Sequence, residues 1–261
     1  MTNSMVEKIW DYSKHAKYYR YRPNYSDKAI DLLVSYVGSY LPPPKKKLWV
    51  ADVGAGTGNL TIKLIEMGCN VDAVEPNDEM RKIGIEVTKN AQVSWIKATG
   101  TETTLDTGKY DWVTYGSSFN VIDRELGLKE SYRLLKSKGF FTCMWNHRML
   151  SCPIQTKVEK IISKHIPQYE RGIRREDQRS FLEKYTSLFK DIFYLEIDFS
   201  VPRTIDEYIS AWKSVKNKYW DLETSQGKSL FDKIFDEVKA VLPKEFCIIY
   251  TTKAWTVQKG E

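Results

Sequence analysis

Three glycines at alternate positions stand in the stretch Ala51-Asp52-Val53-Gly54-Ala55-Gly56-Thr57-Gly58-Asn59, between a strand-like run and a helix-like one. A glycine turn at such a junction lets backbone approach a ligand closely, because no Cβ intervenes. The first N–H groups of the following helix have no intrahelical partner and can donate to that ligand. Spacing then sorts the chemistry. A phosphate-cradling loop needs GxxxxGK[ST], and no lysine follows Gly58; a dinucleotide fingerprint needs GxGxxG, and Asn59 stands where its last glycine would be. What remains is GxGxG, a spacing that a merely tight turn also satisfies. Glu75 ends the next strand-like run, 21 positions after Gly54 (75 − 54). An acid there can accept both hydroxyls of a bound ribose. NAD enzymes place an acid at the same point, and a solvated acid at a strand end is the plain alternative.

A second set of reactive side chains follows. Trp145-Asn146-His147-Arg148 closes a later strand-like run, and Arg171, Arg174, Arg175 and Arg179 cluster beyond Pro167. In open parallel sheets ligands bind outside the carboxyl ends of the strands. Arginine suits bidentate recognition of carboxylate or phosphate. We therefore expect an anionic small-molecule substrate held by Arg148 and some of Arg174, Arg175 and Arg179. The competing reading is a solvated lid helix with Glu176 and Asp177 as ion partners. His147 is the candidate catalytic base for a hydroxyl or amine acceptor, or else a hydrogen-bonded histidine near the sheet edge. His15 and His165 are weaker candidates. Asn146, Tyr21 and Tyr25 are expected beside the substrate. The N-terminal aromatics Trp10, Tyr12, Tyr18, Tyr19, Tyr21 and Tyr25 suit a pocket cap, and core packing of a lid helix suits many of them equally well.

Positioning these groups requires a sheet. Residues 48–54, 70–76, 92–98, 111–117 and 139–145 are short apolar runs of the kind buried on both faces. Helical candidates lie between them at 58–67, 78–88 and 122–136, the last stopped by Gly139. This alternation argues a parallel sheet with helices on both faces. Residues 146–190 look helical and amphipathic, with Val158, Ile161, Ile162, His165 and Ile166 at helical spacing before Pro167. Strands are expected at 193–201 and 246–257, helices at 205–217 and 228–241. The expected division is an N-terminal cap and core over 1–145, a helical lid after strand five over 146–190, and a completing segment over 191–261.

Bulk properties bound the rest. The 261 residues are 42% hydrophobic and 28% charged, enough for one large domain with a real core. The net charge of +6 is mild, and no basic stripe of the kind nucleic-acid binders show is present apart from Lys45-Lys46-Lys47. Cys69, Cys143, Cys152 and Cys247 form no CxxC pair, so no metal site is expected and reduced thiols in a cytoplasm are. No apolar run approaches the ~20 residues of a membrane span. MTNSMVEKIWDYSKH lacks the apolar segment of a signal peptide.

ADVGAGTGN with VEPNDEM resembles motif I and the following acidic motif of class I S-adenosylmethionine (SAM)-dependent methyltransferases. Gly100-Thr101-Glu102 ahead of Tyr110-Asp111-Trp112-Val113-Thr114-Tyr115 is similar to that superfamily's adenine-contacting segment and fourth strand. Tyr19-Arg20-Tyr21-Arg22-Pro23-Asn24-Tyr25 resembles the N-terminal segment of the type 11, trans-aconitate methyltransferase-like group. The resemblance covers roughly residues 10–145. It implies an α/β, Rossmann-like sheet of order 3-2-1-4-5-7-6, seven strands with the last antiparallel, and SAM as cofactor. By position it implies that Gly54, Ala55, Gly56 and Gly58 wrap the methionine end, braced by Asp52. Glu75 and Pro76 would border the ribose. Met80 would pack on the adenine, which Gly100, Thr101 and Glu102 would border. Tyr115, Ser117 and Tyr19 would lie near the methionine moiety. Arg22 would pair with the cofactor carboxylate, or form a surface salt bridge. WNHR followed by IPxYxxGxRRxDQ is similar to bacterial methyltransferases of surface-polysaccharide or natural-product clusters, some acting on phosphoryl groups.

One departure stands out. Relatives often carry a histidine after strand four where this chain has Asn120, within Ser117-Ser118-Phe119-Asn120. That puts a general base at this position in doubt. The same stretch lacks the [DN]PP[YF] of amino-methylating nucleic-acid enzymes. The reading is therefore a small-molecule O-methyltransferase. A nucleic-acid methyltransferase, a noncatalytic SAM-binding regulator and a nicotinamide dehydrogenase remain as alternatives, and oligomeric state is not legible.

Overall fold

A computed structural model describes residues 12–41, 47–171, 176–215 and 217–260. Trp10, Lys45, Lys46, Arg174 and Arg175 lie outside the described residues. The chain runs α1 (Ala16–Tyr19), α2 (Asp27–Gly38), β1 (Trp49–Val53), α3 (Asn59–Glu66), β2 (Asn70–Val74), α4 (Asp78–Val87), β3 (Val93–Ile96), β4 (Tyr110–Gly116) and α5 (Arg124–Leu134). It continues β5 (Leu135–Arg148), α6 (Pro153–His165), α7 (Arg179–Leu182), β6 (Phe189–Thr204), α8 (Ile205–Lys213), α9 (Ser225–Val241) and β7 (Glu245–Lys259).

The strands form one sheet of order β3-β2-β1-β4-β5-β7-β6. β1 pairs in parallel with β2 and with β4, and β7 is antiparallel to both β5 and β6. Val50, Ala51, Val53, Trp112 and Val113 are fully buried, as continuous apolar runs covered on both faces must be. The chain leaves β1 toward β2 and β3 on one side and returns to β4 on the other. That reversal opens a crevice at the carboxyl ends of β1 and β4.

Two apolar layers sandwich the sheet. One joins Leu128 and Leu134 of α5 to Tyr115, Phe141 and Trp255; the other joins Ile30, Leu33 and Val37 of α2 to Val50, Trp112 and Met144. A third cluster builds a separate wall. Val158 and Ile162 of α6, Tyr208 and Trp212 of α8, and Phe231 and Phe235 of α9 pack on Ile248 and Tyr250 of β7. Because Tyr250 pairs with Arg148, this wall rises at the carboxyl end of β5.

Helix ends follow local chemistry. Asn77 caps α4, Asp123 caps α5 and Thr224 caps α9, each accepting from the first-turn backbone. Thr204 and Glu207 form a reciprocal capping box on α8. No described helix is long and apolar enough to cross a membrane.

Several expectations need correction. α5 ends at Leu134, so Gly139 is not its stop; the chain passes directly into β5, and Gly139 follows Lys138, whose φ is +62°. β5 reaches Arg148, which makes Asn146, His147 and Arg148 strand residues rather than the start of a helical insertion. Among the described residues of 146–190, Pro153–His165 and Arg179–Leu182 are the α-helical ones. Pro167 accounts for the first stop. α6 packs with α8 and α9, so the wall draws on both of the expected C-terminal segments. His165 does not join the apolar face; its Nε2 lies 2.9 Å from Glu237 Oε2.

Gly84 tests the packing beneath the crevice. A Cβ there would fall 2.1 Å from the Trp95 ring, whose Nε1 donates to Thr88 Oγ1 at 2.9 Å. Glycine to alanine inside a helix ordinarily gains about 1 kcal/mol. Here Gly84→Ala is expected to lose about 1–3 kcal/mol through overpacking, read by chemical denaturation. Unchanged or higher stability would contradict the contact.

Candidate active site

The crevice is a cavity of about 1370 Å³ lined from all the elements named below. Its floor is the glycine loop. Gly54, Gly56 and Gly58 have φ of +69°, +60° and +84°, a region that favours glycine. A Cβ on Gly54 would lie 2.4 Å from Ser118 Cβ, and one on Gly56 would lie 3.3 Å from Met80 Cε. Gly58 does not line the cavity. A Cβ there would meet Gly84 and Trp95, and Gly58 serves as the left-handed N-cap of α3. The expectation that Gly58 wraps a ligand is corrected accordingly: it lets α3 sit close to α4.

Glu75 ties the loop to the end of β2. Its Oε2 accepts from Gly56 N at 2.9 Å and its Oε1 from Asn77 N at 2.8 Å. Burial raises its pKa, and the two backbone donors and Arg81 oppose that rise. Each oxygen keeps acceptor capacity toward the cavity. Pro76, Met80, Gly100, Thr101 and Glu102 continue this wall. The Tyr115 hydroxyl donates to Gly100 O at 2.9 Å, which fixes the segment against β4.

Asp52 lies below the loop, fully buried. It accepts from Thr61 Oγ1 at 2.6 Å and Thr114 Oγ1 at 3.2 Å. Ser117 closes β4 with φ +59°, a strained value for a residue with a Cβ. Its Oγ lies 3.0 Å from the Tyr25 hydroxyl, whose pKa burial pushes up.

The N-terminal segment closes one side. Tyr12, Tyr19, Arg22 and Tyr25 line the cavity. Among the described residues Arg22 has no salt-bridge partner: Nε donates to Ser214 Oγ at 2.9 Å and Nη2 to Ser214 O at 2.7 Å, and the guanidinium lies 4.0 Å from the Tyr19 ring centroid. Tyr18 and Tyr21 do not line the cavity. The Tyr21 hydroxyl accepts from Arg20 instead, so the substrate contact expected of Tyr21 is withdrawn.

At the far end β5 delivers Asn146, His147 and Arg148. Asn146 spans two elements, donating to Asn24 O at 3.0 Å and accepting from Thr252 Oγ1 at 2.6 Å. Arg148 packs against rings: its Cζ lies 4.2 Å from the Trp212 centroid, 5.5 Å from Tyr208 and 5.9 Å from Tyr250. Burial would lower its pKa, yet the surrounding tyrosines hold it above the usual value, so the side chain stays cationic. Arg179 lies away from the cavity, at the start of α7. Arg174 and Arg175 lie outside the described residues.

Sequence reasoning missed Tyr169, Trp212 and Tyr250 and noted Arg171 in the arginine cluster without placing it beside the substrate; all four are on the cavity wall. Trp212 carried only the signal of a helix core face. Tyr250 sat in a strand whose alternation was unclear. Asn120 also lines the cavity; its Oδ1 accepts from Trp145 Nε1 at 3.1 Å. Among the described residues no cluster of three or more His, Cys, Asp or Glu is arranged to hold a metal.

Asp52 yields a pH signature. Burial lifts its carboxyl to about 6. A raised folded-state pKa means stability fully present below about pH 4, the unfolded value, and lost as pH rises through the folded one. Relative to wild type, Asp52→Asn should gain stability by up to about 3 kcal/mol between pH 4 and 6 and show no further change above. Urea denaturation across that range measures it; a pH-independent difference would contradict the burial.

Residues 51–143 match a family described as "Methyltransferase domain". An uncharacterized methyltransferase of Mycobacterium tuberculosis is 35% identical over 133 residues, covering 50% of this chain and 49% of that relative. The chain thus spans about half the length of such relatives. An uncharacterized methyltransferase-like protein of Schizosaccharomyces pombe is 25% identical over 222 residues, 80% of this chain and 82% of the relative. Among solved structures, a putative methyltransferase from an antibiotic biosynthesis pathway of Anabaena variabilis superposes with a TM-score of 0.56 at 19% identity. It covers 87% of this chain and 96% of that one, a likeness of fold. The glycine loop without Cβ atoms and the two-oxygen acceptor of Glu75 fit an adenosyl amino acid. Residues 51–143, which hold the glycine loop and Glu75, are thus similar to methyltransferase domains, and the sheet around them has the fold of such enzymes.

Proposed function

We propose that this chain transfers a methyl group from SAM to an oxygen of an anionic small molecule, carboxylate or phosphoryl, anchored by Arg148. The cofactor supplies a methyl group already activated on a sulfonium. The chain's own task is alignment and exclusion of water. Glu75 and the Gly54–Gly56 backbone would hold the nucleoside and methionine ends, with Tyr19, Arg22 and Ser117 beside the latter. Tyr25, Tyr169, Trp212 and Tyr250 would close the acceptor end with rings.

The observation that carries this reading is a permanently cationic Arg148, on the strand next to β4, packed by aromatic faces on the cavity wall. A guanidinium stacked among rings keeps its charge, and its N–H donors suit a carboxylate or phosphoryl oxygen. An anionic oxygen needs no proton removed. That agrees with Asn120, which cannot take a proton, at the position where relatives often have histidine. His147 lines the same cavity and would accept the proton where an acceptor oxygen carries one. Surface-polysaccharide or natural-product biosynthesis is the setting that the WNHR resemblance favours for such an acceptor.

The test is a screen of carboxylated and phosphorylated acceptors with methyl-labelled SAM, read by mass spectrometry. Methylated anionic products are expected. Arg148→Met should raise KM for the accepted compound by roughly tenfold or more, the loss of one charge-assisted hydrogen bond. S-adenosylhomocysteine affinity should be unchanged. Methylation of neutral compounds alone, or indifference to Arg148→Met, would overturn the proposal.

A further inference from the structure

The far end of the cavity holds a second guanidinium. Arg171 lines the wall, and its Cζ lies 5.5 Å from the same Trp212 centroid that Arg148 approaches to 4.2 Å. One fully buried indole of α8 therefore serves as a common shelf for two cations, one from β5 and one from the segment after α6. The two are also linked beneath the shelf. Arg171 forms a two-point ion pair with Glu159 of α6, through Nη2 to Oε1 and through Nε to Oε2 at 3.3 Å. Glu159 Oε1 accepts from Gln155 Nε2 at 2.6 Å, and Gln155 Oε1 accepts from the Tyr208 hydroxyl at 2.8 Å. Tyr208 in turn packs against Arg148. Gln155, Tyr208 and Trp212 are completely buried. This network runs from one guanidinium to the other through two helices.

Such an arrangement is expensive for a surface anchor. Two cations near one ring repel, and a lone structural pin of the 166–171 segment would need neither the shelf nor the buried Gln155–Tyr208 relay. Arg171 uses Nε and Nη2 on Glu159, and Nη1 lies outside that pair. The Arg148 guanidinium and the outer nitrogen of Arg171, at one cavity end, match an oxyanion with several acceptor oxygens. We propose that Arg171, positioned by Glu159 and Gln155, forms with Arg148 a two-guanidinium subsite on Trp212 that binds the oxyanion of the acceptor, carboxylate or phosphoryl. This rests on the reading of Arg148 as the acceptor's anchor and adds the residue that sets which anions fit.

Glu159 and Arg171 are best tested together. Replacing Arg171 alone would strand a carboxylate beside the subsite. The double variant Arg171→Met, Glu159→Gln leaves the net charge unchanged, so its effect reports the guanidinium's donors rather than the local charge. The experiment is calorimetry on the protein saturated with S-adenosylhomocysteine, with benzoate and phenyl phosphate as probes. At least one probe should bind the wild type, and benzoate or phenyl phosphate then identifies the oxyanion as carboxylate or phosphoryl. In the double variant that binding should weaken roughly tenfold or more, with S-adenosylhomocysteine affinity and melting temperature retained. A double variant that binds like the wild type, while Arg148→Met loses the probe, overturns the two-guanidinium subsite and leaves the Arg148 reading standing. Indifference of both variants, or no probe binding to the wild type, overturns both.

Discussion

The Glu75 carboxylate is the joint on which the site depends. It ends β2, yet it accepts backbone donors from Gly56 in the β1 loop and from Asn77 at the cap of α4. Three pieces that converge at the crevice are thereby held by two oxygens. Burying a carboxylate is costly unless it is hydrogen-bonded, and here the loop supplies those bonds. The loop can do so only because Gly54 and Gly56 adopt positive φ, turning their N–H groups inward without a Cβ to block the approach. The same absence of side chains leaves room for a ligand. Scaffold and binding surface therefore share one set of atoms.

The opposite end follows another rule. There the fold does not use backbone; it uses a wall of aromatic side chains from α6, α8, α9 and β7. A cation such as Arg148 survives burial in that wall because ring faces attract it and neighbouring tyrosine hydroxyls favour its charged form. The glycine-loop end of the cavity is thus shaped by backbone geometry, the opposite end by side-chain chemistry.

That division explains what was legible beforehand. Gly54, Gly56 and Glu75 declared themselves because alternate glycines and an acid at a strand end are local patterns with a mechanism. The sheet order followed from the resemblance they carry. Gly58 read as part of the same loop, but its role is contact with Gly84 and Trp95, a packing fact that spacing does not encode. Trp212 looked like any buried residue on an amphipathic helix, which it also is. Arg171 stood in a run with Arg174 and Arg175, and nothing local pointed to the indole it meets 41 positions later (212 − 171). Arg148 was expected at the carboxyl end of a strand and does line the cavity, whereas Arg179, grouped with it from proximity in sequence, starts α7 away from that wall. Tyr21 lies off the cavity wall while Tyr19 lies on it, because neighbouring tyrosines in a short helix and turn face different ways.

The most direct test of the central claim, that the glycine loop and Glu75 hold an adenosyl amino acid, is calorimetric titration with S-adenosylhomocysteine, run beside NAD. Saturable binding of S-adenosylhomocysteine at one site per chain, with no binding of NAD, is the predicted result. Binding of NAD, or failure of folded, ligand-free protein to bind S-adenosylhomocysteine, would contradict the account of the site.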